Sequence, residues 1–236
     1  VTLYGTAENR GIQLHYDFLV VALGSQTNFF GMKDVEDNAY TMKTLNDAVV
    51  LRNRIIDMME QAENETDPIL RKSLLRFIMV GGGFAGVETA GEINDFVTDI
   101  SKYYPNIQTD DIKITLVEAT SEILTGFPRK LANFAKTKLM ERGVEVLLNF
   151  GVRSFDGKQV FLENLGKSDD KQDKTILAST LVWTAGVTPI DLIKDSLFKT
   201  EKGRIVVDEF LQVSGFPGVF AIGDCCKINP ELNKKQ

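Results

Sequence analysis

Three observations predict an α/β fold built on a parallel sheet. Apolar, β-rich runs recur at DFLVVALGS, LLRFIMV and KITLVEA, and helical periodicity follows the later ones. The third is VGGGFAGVETAGEI, which sets a glycine-rich turn directly between a strand and a helix. Strand and helix then keep alternating, the grammar of a right-handed, doubly wound, Rossmann-like sheet.

At the start, VTLYG and GIQLHY flank AENR and read as a hairpin already inside a sheet, so the chain, which opens on Val1, is expected to be a piece of a longer one. DFLVVALGS suits a buried strand of a parallel sheet. A loop to about Tyr40 follows, then a helix from Leu45 to about Ala62, with Ala48, Leu51, Ile55 and Met58 at three- and four-residue spacing. Thr44 or Asn46 could cap it. LLRFIMV is another buried strand, and VETAGEINDFVTDI is helix. The polar insertion SKYYPNIQTDDI delays the strand KITLVEA.

PRKLANFAKTKLMERG gives a helix stopped by Gly143, and VEVLLN a strand. After Gly151 the elements shorten to RSFDG, KQVFLEN, TILAST and LVWTA, which reads as an antiparallel β hairpin layer inserted before a final sheet strand. The loop LGKSDDKQDK alternates in charge and is expected to be solvated. RIVVDEFLQV and GVFAIGD return to strand patterns.

Composition narrows the function classes. With 236 residues, 43% hydrophobic and 25% charged, the chain can bury one or two cores. A formal net charge of −6 provides no basic stripe for a phosphate backbone, so nucleic acid is not an expected partner. No apolar run approaches the roughly 18 residues of a membrane-spanning helix. The only cysteines, Cys225 and Cys226, are adjacent, which argues against dithiol chemistry and for a reducing compartment. His15 is the single histidine; a structural role is expected of it, and no multi-histidine metal site can form.

The chemistry is concentrated in the glycine turn. Gly81, Gly83 and Gly86 satisfy G-x-G-x-x-G, with Gly82, Phe84 and Ala85 between them. The first glycine permits the bend, the second lets a dinucleotide pyrophosphate approach the backbone, and the third allows helix to pack on strand. The amides at the helix start favour the phosphates. A glycine turn without a ligand is the bland alternative. Glu118 closes the next strand, where a carboxylate would accept hydrogen bonds from the adenosine ribose and repel a 2′-phosphate, favouring NADH over NADPH. It lies 118 − 86 = 32 residues past Gly86, against about 20 as usual, and the polar insertion accounts for the excess. It could also be a solvated strand end.

Taken in order, YDFLVVALGS, VGGGFAGVETAGEI, LVWTAGV and VFAIGDC resemble the type II NADH dehydrogenases, the NADH:quinone oxidoreductases of the two-dinucleotide-binding flavoprotein superfamily. TMKTLNDAVVLRNRI fits the same branch. The resemblance covers nearly the whole chain and implies a partial FAD-binding domain at 1–40, an NADH-binding domain at 41–200, and a second part of the FAD domain at 201–236. It implies NADH and FAD as cofactors: hydride passes to the flavin, and electrons to a quinone.

By that resemblance, the turns at Ala22 to Gly24 and Ala185 to Gly186 lie close to ligand or to the other domain. Gly223 and Asp224 belong to a flavin-contacting element, although Asp224 read alone could cap a helix. Glu88 matches a glutamate near flavin and nicotinamide; read alone it is an acid in a first helical turn, favoured by the dipole. The family's own flavin-phosphate glycine turn does not occur before Tyr16, and its quinone and membrane-anchoring segment does not precede PELNKKQ. The flavin site is therefore expected to be incomplete and the piece inactive by itself. The intact parent is expected to be cytoplasmic and peripheral to a membrane that it touches only through segments outside this chain, with homodimerisation left open. Another reductase of the superfamily, acting on ferredoxin, oxygen or sulfide, is the nearest rival, and a non-catalytic NADH-binding module is the rival from a different class.

Overall fold

The structure is a computed structural model that describes residues 2–4, 11–166 and 172–229, and it divides into two compact units, residues 27–186 and residues 1–26 with 187–236. Half of the expected solvated loop, residues 167–171, and the PELNKKQ tail lie outside the described residues.

The larger unit contains α1 (Lys33–Asn38), β1 (Tyr40–Thr41), α2 (Leu45–Asn64), α3 (Pro68–Leu74), β2 (Arg76–Val80), α4 (Phe84–Ser101), β3 (Lys113–Glu118), α5 (Arg129–Glu141) and β4 (Glu145–Leu148). These are followed by β5 (Phe150–Phe155), β6 (Gln159–Asn164), β7 (Lys174–Leu177) and β8 (Thr180–Trp183). Five strands form a parallel sheet in the order β1-β8-β2-β3-β4. The last strand in sequence thus lies inside the sheet and not at its edge. β5, β6 and β7 make the antiparallel layer, with a register shift between Phe161 and Leu162.

Two-residue alternation decides what covers each sheet face. Phe77, Met79, Ile114, Leu116 and Val182 point into a core shared with Leu51, Ile55, Met58 and Met59 of α2 and Ala90, Ile93 and Val97 of α4. Their neighbours Ile78, Val80, Val117, Leu181 and Trp183 point the other way, against Phe155, Val160 and Leu162 of the antiparallel layer and Val35 of α1. Helices α2 to α5 therefore bury on one face, and the β layer with α1 closes the other. The unit starts at Thr27 because α1 belongs to it: the Asp34 carboxylate accepts from Phe155 N at 3.0 Å, and Val35 is fully buried.

The longest helix is anchored as its sequence suggests, by Thr44 rather than Asn46. Thr44 Oγ1 accepts from Asp47 N at 3.1 Å, and the Asp47 carboxylate accepts from Lys43 N at 2.8 Å and Thr44 N at 2.9 Å. Burial works against the Asp47 charge, but these backbone donors outweigh it and hold the carboxyl below its usual range. Thr44→Ala is expected to cost about 1 kcal/mol. A depressed folded pKa contributes stability above the unfolded value and loses it as pH falls through the folded one, so the cost of Asp47→Asn should shrink on acidification. Thermal unfolding at neutral and acid pH measures both. At the far end of α5, Gly143 adopts φ +89° and stops the helix as expected.

In the smaller unit, Thr2–Tyr4 pairs antiparallel with Gly11–Gln13. Leu19–Val21 runs parallel to Val219–Ala221, and Arg204–Val207 is parallel to Cys226–Ile228. Its core gathers Val21, Ile193, Ile205, Val207, Val219, Ala221 and Cys225. Here two expectations need correction. Leu19–Val21 is a parallel strand but not a buried one: Val21 faces this core, whereas Phe18 is 75% and Val20 55% exposed. An uninterrupted apolar run does not say which of its two faces is covered. His15 is exposed beyond the end of Gly11–Gln13 and has no core to support.

Candidate nucleotide-binding site

The β2–α4 connection is a bend that only glycines at defined positions allow. Gly81 has φ +108°, and a Cβ there would lie 2.9 Å from Ala185 Cα. Its amide donates to Val117 O at 2.9 Å, tying the bend to β3. A Cβ on Gly86 would penetrate Gly81 O and come within 2.8 Å of Thr184 Oγ1, so α4 rests directly on the bend. Gly83 is different: its φ of −74° suits any residue, and a Cβ there would meet nothing within 4 Å. Of the three motif glycines, it is the one that faces open space. No side chain caps α4, which leaves its first-turn amides for an external acceptor.

Glu118 turns toward this bend. Its Oε2 accepts from Gly82 N at 2.6 Å and its Oε1 from Thr120 N at 2.7 Å. Each carboxylate oxygen retains further acceptor capacity. Gly82 also fastens the following loop, since its carbonyl accepts from Leu124 N at 2.7 Å.

On the other side of the bend is the turn after β8. Thr184 donates to Val80 O from its amide at 2.9 Å and from its hydroxyl at 2.7 Å, which holds Ala185 against Gly81. Gly186 has φ +75°, and a Cβ there would enter the ring of Phe30. Small residues at Ala185 and Gly186 thus serve close packing within the unit. A cavity of about 420 Å³ results, lined among others by Phe30, Gly81, Gly83, Glu118, Trp183 and Ala185. Phe84, at the start of α4, stacks edge-on against Phe127 with centroids 4.6 Å apart.

Glu88 is not part of this lining. With Ala85 it faces a separate groove of about 480 Å³ between α2 and α4, where Arg52, Thr89 and Glu92 also lie. In the smaller unit, Ala22 and Gly24 follow one parallel strand and Gly223 and Asp224 the other. Asp224 accepts from the Ser25 hydroxyl at 2.6 Å, and Gly24 and Gly223 both have positive φ with open space where a Cβ would be. The carboxyl ends of adjacent parallel strands are where open α/β sheets take ligands.

The family model described as pyridine nucleotide-disulphide oxidoreductase matches residues 1–235. The chain belongs to the pyridine nucleotide-disulphide oxidoreductase family. Within it, the external alternative NADH-ubiquinone oxidoreductase of Yarrowia lipolytica mitochondria is 35% identical over 219 residues, 90% of this chain and 38% of the relative. The external alternative NAD(P)H-ubiquinone oxidoreductase B3 of Arabidopsis thaliana mitochondria is 36% identical, over 91% of this chain and 37% of the relative. The solved structure of NDH2 from Plasmodium falciparum in complex with NADH aligns with a TM-score of 0.85 and 29% identity, covering 97% of this chain and 48% of that one. A ferredoxin reductase from Rhodopseudomonas palustris, at 21% identity and a TM-score of 0.65, shares the fold. The chain spans less than half the length of each of these relatives.

The two adjacent cysteines are not bridged to one another. Cys225 is fully buried, and burial, with a smaller contribution from Cys225, pushes the Cys226 thiol up from its ordinary value. Sequence reasoning placed the glycines and Glu118 together but missed Thr120, Thr184 and Phe30. The TAG turn hinted at Thr184. Nothing in the sequence marks Phe30, which reaches Gly186 from across the unit.

Proposed function

We propose that residues 27–186 are the NADH-binding domain of an FAD-dependent NADH dehydrogenase of the type II, quinone-reducing kind, and that the smaller unit carries part of its flavin site. The observation that carries this reading is the Glu118 carboxylate held at the glycine bend, beside open space over Gly83 and uncapped helix amides. Those amides would hold the pyrophosphate, and Glu118 would accept from the adenosine ribose hydroxyls. Trp183, Ala185 and Phe30 would wall the crevice and exclude water.

The residues at the strand ends of the smaller unit suit the flavin: Asp224 and Ser25 offer polar groups to its ribityl chain, and Gly24 and Gly223 leave room for it. When bound, FAD would take hydride from NADH and pass electrons to a quinone. Glu88 would contribute to proton delivery or nucleotide positioning from the groove between α2 and α4 in which it lies. For the whole protein, we propose a peripheral attachment to the membrane through segments outside this chain. No helix among the described residues is long and apolar enough to cross a membrane. The relatives are external mitochondrial enzymes, which supports a location at a mitochondrial membrane for the whole protein.

Trp183 is the only tryptophan and lines the cavity, so NADH titration should quench its emission. Glu118→Gln should weaken NADH binding about tenfold or more, the scale of a hydrogen bond to a charged group, and narrow the gap to NADPH. Unchanged emission, or NADPH bound by the unsubstituted chain as tightly as NADH, would refute the nucleotide assignment. Failure of the full-length protein to reduce a quinone while reducing a ferredoxin would refute the choice of acceptor.

A further inference from the structure

The loop after β3 is organised around one residue that touches no part of the glycine bend. Thr120 makes bonds in several directions, its hydroxyl also lying 3.4 Å from Thr125 Oγ1. Its amide donates to Glu118 Oε1 at 2.7 Å, its hydroxyl donates to Glu122 O at 2.8 Å, and its carbonyl accepts from Asn149 N at 2.9 Å. The first fixes one carboxylate oxygen, while Gly82 N fixes the other at 2.6 Å. The second closes the loop on itself, and the third ties it to the chain after β4. Glu122, whose carbonyl the hydroxyl anchors, pairs its own carboxylate with Arg129 at 3.2 Å. The loop thus fixes Glu118.

We propose that Thr120 is a positioning residue for nucleotide selectivity: through its amide, and through the hydroxyl that closes the loop, it holds the Glu118 carboxylate against the bend in the orientation that accepts ribose hydroxyls. This rests on the reading of Glu118 as the ribose acceptor. Removing the hydroxyl frees the loop at Glu122, lets the Thr120 amide drift from Oε1, and leaves Glu118 held by Gly82 alone. A carboxylate free to rotate loses part of its preorganisation for the ribose.

The test is a double-mutant cycle read by calorimetry with NADH and with NADPH on the 236-residue chain, with the unfolding temperature of each variant recorded. Thr120→Val keeps the side-chain shape and deletes the hydroxyl. It should weaken NADH binding by about three- to tenfold, the scale of one neutral hydrogen bond, and reduce the preference over NADPH. Thr120→Ser should restore both. On a Glu118→Gln background, Thr120→Val should cause no further loss. An equal loss on both backgrounds, or an unchanged affinity and preference in Thr120→Val while Glu118→Gln is impaired, overturns the role of Thr120 and leaves the ribose assignment standing. If Glu118→Gln itself binds NADH normally, the ribose assignment and the positioning role fall together. Thr120→Ala serves as a second hydroxyl deletion should the valine variant unfold.

Discussion

Gly86→Ala is expected to displace α4 and abolish NADH binding, whereas Gly83→Ala should keep the fold and lose only the nucleotide. The two differ in what a methyl group would meet. At Gly86 it would be driven into the Gly81 carbonyl and lie 2.8 Å from Thr184 Oγ1. Both neighbours are held, Gly81 by β3 and Thr184 by its bonds to Val80, so neither can yield without the bend. Overpacking of this kind typically costs about 1–3 kcal/mol, occasionally more, and here it moves the helix whose first amides would bind the phosphates.

At Gly83 the same methyl group would enter open space at an ordinary φ, for under about 1 kcal/mol of stability. It would occupy the approach of a pyrophosphate to the backbone. Thermal unfolding and calorimetry with NADH distinguish the two. A Gly83→Ala chain that folds and binds NADH like the unsubstituted one would place the nucleotide elsewhere.

The contrast between these glycines also shows what the sequence could convey. The G-x-G-x-x-G spacing identified the bend and the helix behind it, because a tight turn between strand and helix needs glycine where φ is positive or backbones touch, and the acid was legible from its place at the end of the next strand. β2, β3 and α4 were legible for the same local reason, and α2 through its periodicity and Thr44 cap. What was not legible depends on contacts distant in sequence. α1 is six residues with no side-chain cap, formed because Val35 and Asp34 dock on the β5–β6 layer. α3 is the exception, since its signal was local and went unread: Asp67 caps Ile69 N, and Pro68 stands at the first helical position. Thr120 has no motif at all, since its importance lies in bonds to Glu122 and Asn149 that no spacing rule describes. The exposure of Phe18 and Val20 was hidden because an apolar run reads the same whether one or both faces are covered.

Trp183→Ala should be the most destabilising single change at the crevice. The indole is 3% exposed, lies between the parallel sheet and the antiparallel layer, and contacts the rings of Phe29 and Phe30 at centroid distances of 5.8 and 6.3 Å. Truncating a buried aromatic costs about 3–5 kcal/mol, against a total of about 5–15 kcal/mol for an ordinary domain, so the unit would be left marginal. Trp183→Phe separates packing from polarity. It keeps an aromatic ring but removes the Nε1–H that donates to Asn28 O at 3.0 Å, leaving that carbonyl without its indole partner at a cost of roughly 1–3 kcal/mol. Asn28 precedes the Phe30 ring that fills the space beside Gly186, so the crevice wall should loosen in step with stability. The ranking unsubstituted, Trp183→Phe, Trp183→Ala is therefore expected both in denaturant midpoint and, below the unfolding transition, in NADH affinity. If affinity held constant across the series while stability fell, the β8 wall would be scaffold alone, and the nucleotide would rest on the bend and Glu118 without it.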